Sequence, residues 1–274
     1  MTGHYFENPL VNLHYYRFGN GSQKMLCFHG YGMHGKQFKI LANTPLASKY
    51  TFYGFDLFFH KETKLKDQSL ETVKAGISKK AFADLIKQFC ASERIDRFSV
   101  IGYSMGSHYA TVVVEELGTM VDEYIVLSPA SLKPGPLVTF FAKNKAGNTL
   151  LQKLALSQNG LMNMLKWSRR FGFLDEVGFG ILKKEIETEE LRFNFYACFT
   201  YLRFFETDED QLVQMLNQHN IKSIFIFGKR DKMYPPRIGK KLIARLPKPE
   251  VIVLDETHEM INVNFVTALS AALL

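Results

Sequence analysis

Four short segments carry side chains suited to nucleophilic acyl chemistry. Gly102-Tyr103-Ser104-Met105-Gly106 sets a serine between glycines two before and two after it. A β-rich apolar run precedes it and a helical pattern follows. The chain must therefore turn sharply at Ser104, lift its hydroxyl out of a sheet and aim the next backbone N–H at the same space. A serine hydroxyl is a weak nucleophile until a positioned base takes its proton. His258, in Thr257-His258-Glu259, is the last histidine of the chain and lies between the last β-rich run and the final helical stretch. Asp231 ends Gly228-Lys229-Arg230-Asp231, just past another β-rich run. A carboxylate there can reach a histidine on the adjacent loop, fix its tautomer and stabilise the imidazolium.

Taken alone, Asp231 would equally suit an ion pair with Arg230 or Lys232, or a helix start ahead of Pro235. The rival position, after the preceding strand, reads Ser128-Pro129-Ala130-Ser131 and holds no carboxylate. The fourth segment is His29-Gly30-Tyr31-Gly32, directly after a strand pattern. Its glycines let the backbone turn and approach a ligand closely. The Tyr31 N–H, with that of Met105, forms the candidate oxyanion hole. His29, Gly30, Gly102 and Gly106 are supporting residues, His29 as a loop brace. His108, one helical turn past Ser104, points beneath the serine as a packing or hydrogen-bonding residue. Asp56 fixes a loop that includes His60, while His4, His14, His34 and His219 have no motif around them.

The elements that must position these groups are legible as short apolar runs at Lys24–His29, Thr51–Phe55, Phe98–Gly102, Tyr124–Leu127, Ser223–Phe227 and Val251–Leu254. Such runs suit strands buried on both faces of a parallel sheet. Helical spacing falls between them at Lys79–Ala91, Ser104–Leu117, Arg237–Leu246 and Val263–Leu274. The alternation predicts a doubly wound, mostly parallel α/β sheet. Leu13–Phe18, the turn Gly19-Asn20-Gly21-Ser22 and Lys24–His29 predict an antiparallel edge hairpin at the start. Between Leu127 and Ser223 the rhythm breaks. Pro134-Gly135-Pro136 opens a Phe-, Leu- and Met-rich stretch with helical segments at Thr149–Trp167, Leu174–Leu182 and Glu185–Phe205. Residues 133–207 thus read as a helical insertion, and 1–132 with 208–274 as the core domain.

The bulk properties fit one globular unit of 274 residues with 46% hydrophobic residues. The net charge of +7 is spread in short pairs such as Lys79-Lys80, Arg169-Arg170, Lys183-Lys184 and Lys240-Lys241, without a nucleic-acid-binding motif. The insertion holds 11 basic and 7 acidic residues, a net of +4. No nucleic-acid partner is expected. Cys27, Cys90 and Cys198 are odd in number and widely spaced, which suggests neither a disulfide framework nor a zinc site. The first residues lack the basic start and apolar stretch of a signal peptide, and no run of 18 apolar residues occurs. A cytoplasmic location without stable membrane association is expected; the oligomeric state is open.

The chain resembles the α/β-hydrolase superfamily, in its capped branch of esterases, lipolytic enzymes and C–C bond hydrolases. The likeness spans nearly the whole chain and rests on His29-Gly30, Asp56, Gly102–Gly106, Gly228 with Asp231, and His258. It implies an eight-stranded sheet, a helical cap inserted after the sixth strand and a Ser-Asp-His triad with no cofactor and no metal. Family members often carry Asp-x-x-Gly-His-Gly-x-Ser after the fourth strand. Here that segment is Asp56-Leu57-Phe58-Phe59-His60-Lys61-Glu62-Thr63, and without both glycines another loop shape is expected. The glycine usual before the histidine is Thr257. The resemblance implies hydrolysis of a carboxylic ester or thioester of a small to medium apolar substrate, housed among the aromatic residues of the insertion. A C–C bond hydrolase, an amidase or a non-catalytic small-molecule-binding member of the fold are the alternatives.

Overall fold

The computed structural model describes residues 2–173 and 176–274, and of Leu137, Val177 and Ile181 the backbone alone. Its strands are β1 (Gly3–Glu7), β2 (Val11–Phe18), β3 (Gln23–Phe28), β4 (Tyr50–Phe55), β5 (Lys64–Leu65), β6 (Phe98–Tyr103), β7 (Val121–Leu127), β8 (Lys222–Gly228) and β9 (Glu250–Leu254). They form one sheet in the order β1-β2-β4-β3-β6-β7-β8-β9, with the two-residue β5 paired to β2 as a ninth strand. From β4 to β9 every pairing is parallel, and β2 joins β4 antiparallel.

Because side chains alternate across a strand, the apolar runs feed two cores. Leu26, Phe28, Val100 and Phe225 face one layer with the helices Lys79–Ser92 and Gly106–Leu117. Met25, Cys27, Ile101 and Ile226 face the other, closed by the helix Val263–Leu273. Burial of each such side chain contributes about 1.5–3 kcal/mol relative to exposure. The edge strand β9 departs from the expected two-sided burial. Ile252 and Leu254 pack on the second core, while Val251 and Val253 are exposed because the first helical layer stops short of this edge.

The starting hairpin also differs from expectation. β2 does not pair with β3; its hairpin partner is β1, and β4 lies between β2 and β3. The Asn20 and Gly21 N–H groups bond to the carbonyls of Ala47 and Tyr50. The turn is therefore tied to the segment entering β4 instead of closing a two-strand ribbon.

Between β7 and β8 the chain forms helices at Pro136–Lys143, Lys145–Leu156, Gly160–Arg170, Glu176–Lys184 and Glu189–Tyr201. The expected segment Thr149–Trp167 is broken at Ser157-Gln158-Asn159, where Ser157 turns back onto the Leu154 carbonyl. The stretch expected over Leu174–Leu182 begins outside the described residues; Glu176–Lys184 is its described part. These helices have their own apolar cluster, including Leu151, Leu161, Leu165 and Tyr196. Where the chain returns to the sheet, buried Glu115 accepts from the Asp208 N–H at 2.7 Å and pairs with Lys79 at 2.5 Å. Burial pushes its carboxyl up to about 7, against the opposing pull of Lys79. Among the described residues no helix is long and apolar enough to cross a membrane.

Candidate active site

Strand order reverses beside β3, since the chain runs from β3 to β4 on one side and then to β6 on the other. The crevice beyond the carboxyl ends of two such strands is where an open α/β sheet can receive a ligand. His29 follows β3 there and Ser104 follows β6. Ser104 has φ 50°, and its N–H reaches across to the Leu127 carbonyl at 2.9 Å. A non-glycine residue held in this region stores about 1–3 kcal/mol of strain.

The flanking glycines have a direct steric reason. A Cβ on Gly106 would collide with the Phe28 carbonyl, and one on Gly102 would lie 2.6 Å from the Gly106 oxygen. Only bare backbone lets the helix Gly106–Leu117 start this close to the end of β3. That helix directs the positive end of its dipole at Ser104.

His258 joins the two other sequence-derived residues. Its Nε2 is 3.0 Å from Ser104 Oγ and its Nδ1 2.9 Å from Asp231 Oδ2. A carboxylate only accepts, so Nδ1 carries the proton and Nε2 is free to accept from the serine. Asp231 is buried, and its Oδ1 accepts from the N–H groups of Met233 (2.8 Å) and Tyr234 (3.0 Å). Burial pushes its carboxyl up. The hydrogen bonds from His258, the Tyr234 N–H and Ser128 outweigh that push and hold it below the usual carboxylate range. Gly228 lets the strand end pass under the histidine loop, since a Cβ there would meet the Thr257 oxygen at 2.6 Å.

The candidate oxyanion donors flank the serine. No described residue accepts a hydrogen bond from the Tyr31 or Met105 N–H. Gly30 lies against Ser104, as a Cβ on it would stand 3.7 Å from the serine Cβ. The loop is held from below by neutral imidazoles. His29 Nδ1 donates to the Gly30 carbonyl at 2.7 Å, and Nε2 accepts from the Leu57 N–H at 3.0 Å. Burial, reinforced by nearby His60, keeps its pKa well below the ordinary value. His60 Nε2 accepts from the Gly32 N–H at 3.1 Å, and burial lowers its pKa to about 4. His108 donates to the Phe205 carbonyl at 3.0 Å, away from the relay.

Several contributors escaped the sequence reading. The Tyr103 hydroxyl donates to the His258 carbonyl at 2.7 Å, and its ring stacks on the imidazole with centroids 5.4 Å apart. Ser128, at φ 41°, donates to Asp231 Oδ2 at 2.8 Å. It occupies the strand end where the rival acid was sought. Gln37 accepts from the Gly30 N–H at 2.9 Å, and His14 pairs with Asp56 at 2.7 Å. Only the short spacing from Ser104 to Tyr103 was a usable signal; the others are contacts between distant segments.

The loop after β4 braces the site from behind. Phe59 and Lys61 stand where the family motif has glycines, yet both have the positive φ that glycine favours, 62° and 48°. Asp56 and His60 hold the backbone there through bonds to Gly35, Glu62, Gly32 and Phe58. Two non-glycine residues thus take a left-handed backbone within three positions, held there by the buried carboxylate and imidazole.

The inserted helices approach the same place. The Phe195 ring meets the Tyr31 ring edge-on at 5.8 Å, and Cys198 Sγ lies 3.4 Å from Met105 Sδ. Burial pushes the Cys198 thiol up to about 12. Among the described residues, no three His, Cys, Asp or Glu side chains are grouped to hold a metal ion.

A sheet with a serine on a strained strand–helix turn, backed by histidine and aspartate from later strand ends, defines a class. The family model for the alpha/beta hydrolase fold matches residues 24–170, and the chain belongs to that family. It is 23% identical over 254 residues to the uncharacterized hydrolase YugF of Bacillus subtilis (strain 168), covering 92% of this chain and 89% of that protein. Among solved structures it is similar to a thermophilic esterase from Thermogutta terrifontis, with TM-score 0.71 and 14% identity over 96% of this chain and 93% of that one. It is also similar to the thioesterase domain from the curacin biosynthetic pathway, with TM-score 0.64 and 16% identity over 99% and 98% of the two chains.

Proposed function

We propose that this chain is a serine hydrolase cleaving a carboxylic ester or thioester of a small to medium apolar substrate through Ser104, His258 and Asp231. The observation that carries this reading is the continuous relay from Ser104 Oγ through His258 to Asp231, at 3.0 and 2.9 Å. Ser104 Oγ bonds to the substrate carbonyl carbon as its proton passes to His258 Nε2. The carbonyl electron pair moves onto oxygen, which accepts from the Tyr31 and Met105 N–H groups. Each such donor contributes about 10²–10³ in rate. The imidazolium, stabilised by Asp231, gives its proton to the departing alcohol or thiol and leaves an acyl ester on Ser104. Water, deprotonated by Nε2, then attacks that ester, and collapse releases the acid and restores the serine.

Residues 133–207 act as a cap in this proposal. Phe195 and Cys198 sit against the two oxyanion residues, and the Phe199 ring lies tilted against Phe195 at 5.0 Å. An apolar acyl group suits such a wall better than a charged one. The esterase and thioesterase among the similar structures support the choice of bond. The test is a panel of p-nitrophenyl esters and acyl thioesters of graded chain length, run with wild type and Ser104→Ala. Turnover of at least one series that vanishes in the variant is expected. Turnover that survives Ser104→Ala, or none across both series from folded protein, would contradict the proposal.

A further inference from the structure

The net charge of the chain is +7, and its distribution is uneven. Residues 133–184 contain nine Lys and Arg against Asp175 and Glu176 alone, a net of +7, which leaves 25 basic and 25 acidic residues elsewhere. The first four inserted helices and their flanks are thus the most basic part of the chain, while residues 185–207, with two basic and five acidic side chains, offset the small positive excess of the remainder. Within residues 133–184, Lys145, Lys153, Lys166, Arg170, Lys183 and Lys184 are exposed and make no ion pair with a described residue.

The same stretch displays an ordered aromatic cluster. Trp167 and Phe171, four apart, share one face of the helix Gly160–Arg170, with ring centroids 4.6 Å apart. The helix stops in a Schellman motif: the Phe173 N–H bonds to the Ser168 carbonyl, the Gly172 N–H to that of Arg169, and Gly172 has φ 73°. That stop folds Phe173 back onto Trp167, stacked at 6.0 Å. Packing among themselves hides little of the three. Trp167 is 56% exposed, Phe171 57% and Phe173 69%. Lys166 precedes Trp167 and Arg170 lies three residues after it.

We propose that this face of the inserted helices docks on an anionic lipid surface. Aromatic side chains favour the boundary between headgroups and acyl chains, and clustered cations are drawn to acidic headgroups. Each cation near such a surface strengthens binding by about fivefold. A single-stranded nucleic acid would also meet cations and rings. Its bases are held by stacking singly on aromatic faces, and here the Trp167 ring already has Phe171 and Phe173 as its ring neighbours, so the cluster offers an apolar knob more than a row of separate platforms. Docking would bring the inserted segment, whose last helix Glu189–Tyr201 touches Tyr31 and Met105, to the phase where apolar acyl compounds dissolve. It departs from the expectation of no stable membrane association, because the sequence did not reveal which aromatics stay uncovered. The docking stands apart from the hydrolase reading.

Trp167 is the only tryptophan of the chain, so its emission reports this face alone. The test mixes the protein with vesicles of phosphatidylcholine, with and without phosphatidylserine, and follows Trp167 emission and vesicle flotation. A blue shift and flotation with the anionic vesicles, quenching by brominated acyl chains, and about tenfold or greater weakening in Lys166→Glu/Arg170→Glu are expected. Phe171→Ser/Phe173→Ser should weaken flotation as well, with the far-UV circular dichroism of both variants unchanged. No shift and no flotation, equal binding to neutral vesicles, or displacement from vesicles by a single-stranded RNA homopolymer would overturn the proposal. Because none of these readouts needs turnover, failure of the hydrolase reading leaves them interpretable.

Discussion

The sheet with its covering helices and the inserted helices solve opposite problems. The sheet brings Ser104, Asp231 and His258 together from three strand ends, and their tolerance is set by backbone contacts, such as the Phe28 carbonyl against Gly106. It carries buried apolar side chains on both faces. The inserted helices hold a separate, smaller cluster and leave aromatics and cations on the surface. The difference teaches where substitution is tolerated. The platform is constrained by close approach of main chain, whereas the insertion is constrained chiefly by what its faces touch.

The contrast can be broken or sharpened by substitution. The largest effect is expected at the relay. His258→Ala should lower kcat/KM by about 10³-fold or more, read in steady-state kinetics with an ester substrate, with KM little changed. Next, Gly106→Ala should destabilise the protein by about 3 kcal/mol or more in urea unfolding, because neither the Phe28 nor the His29 carbonyl can move away without distorting β3. A neutral result there would break the account of the platform.

Glu115 sits between the regions, on the helix behind Ser104 and against the returning Asp208. Its folded pKa, raised by burial from 4.5 to about 7, means that its stabilising contribution is present below about 4.5 and is lost as pH rises to about 7. Glu115→Gln should therefore gain stability relative to wild type by about 2–3 kcal/mol between pH 5 and pH 8. Paired unfolding curves at the two pH values would read this, and a constant difference would refute it. Tyr103→Phe removes the bond to the His258 carbonyl. We expect about a tenfold fall in kcat at unchanged KM, comparable to one net hydrogen bond's worth of positioning. The smallest effect is the counterpart of Gly106. A Cβ on Gly180, in the helix Glu176–Lys184, would meet no atom of the described residues within 4 Å, so Gly180→Ala should stabilise by about 0.5–1 kcal/mol.

What was legible in the sequence follows the same division. The apolar runs from Lys24 to Leu254 located the strands to within a few residues, because burial on both faces leaves a continuous signal. Ser104, Asp231 and His258 were legible because chain order and strand ends restrict which residues can meet. The pairing of β2 was not, since a short Asn-Gly turn says that the chain reverses without saying which strand it will lie beside. Nor was the backbone at Phe59 and Lys61, where tertiary hydrogen bonds from Asp56 and His60 impose a conformation their side chains disfavour. Tyr103, Ser128 and Gln37 became visible only as contacts. In the insertion, spacing showed helices but not their breaks, nor that Trp167, Phe171 and Phe173 face outward.

The central claim is that one serine, raised by the turn after β6, is made nucleophilic by the relay behind it. Reaction with a fluorophosphonate followed by peptide mass spectrometry tests this most directly, because the reagent mimics the acyl carbon and its adduct records the attacking atom. The account requires a single adduct on Ser104, absent in Ser104→Ala and strongly slowed in His258→Ala. Labelling of folded protein at another residue, or at an undiminished rate without His258, would contradict it.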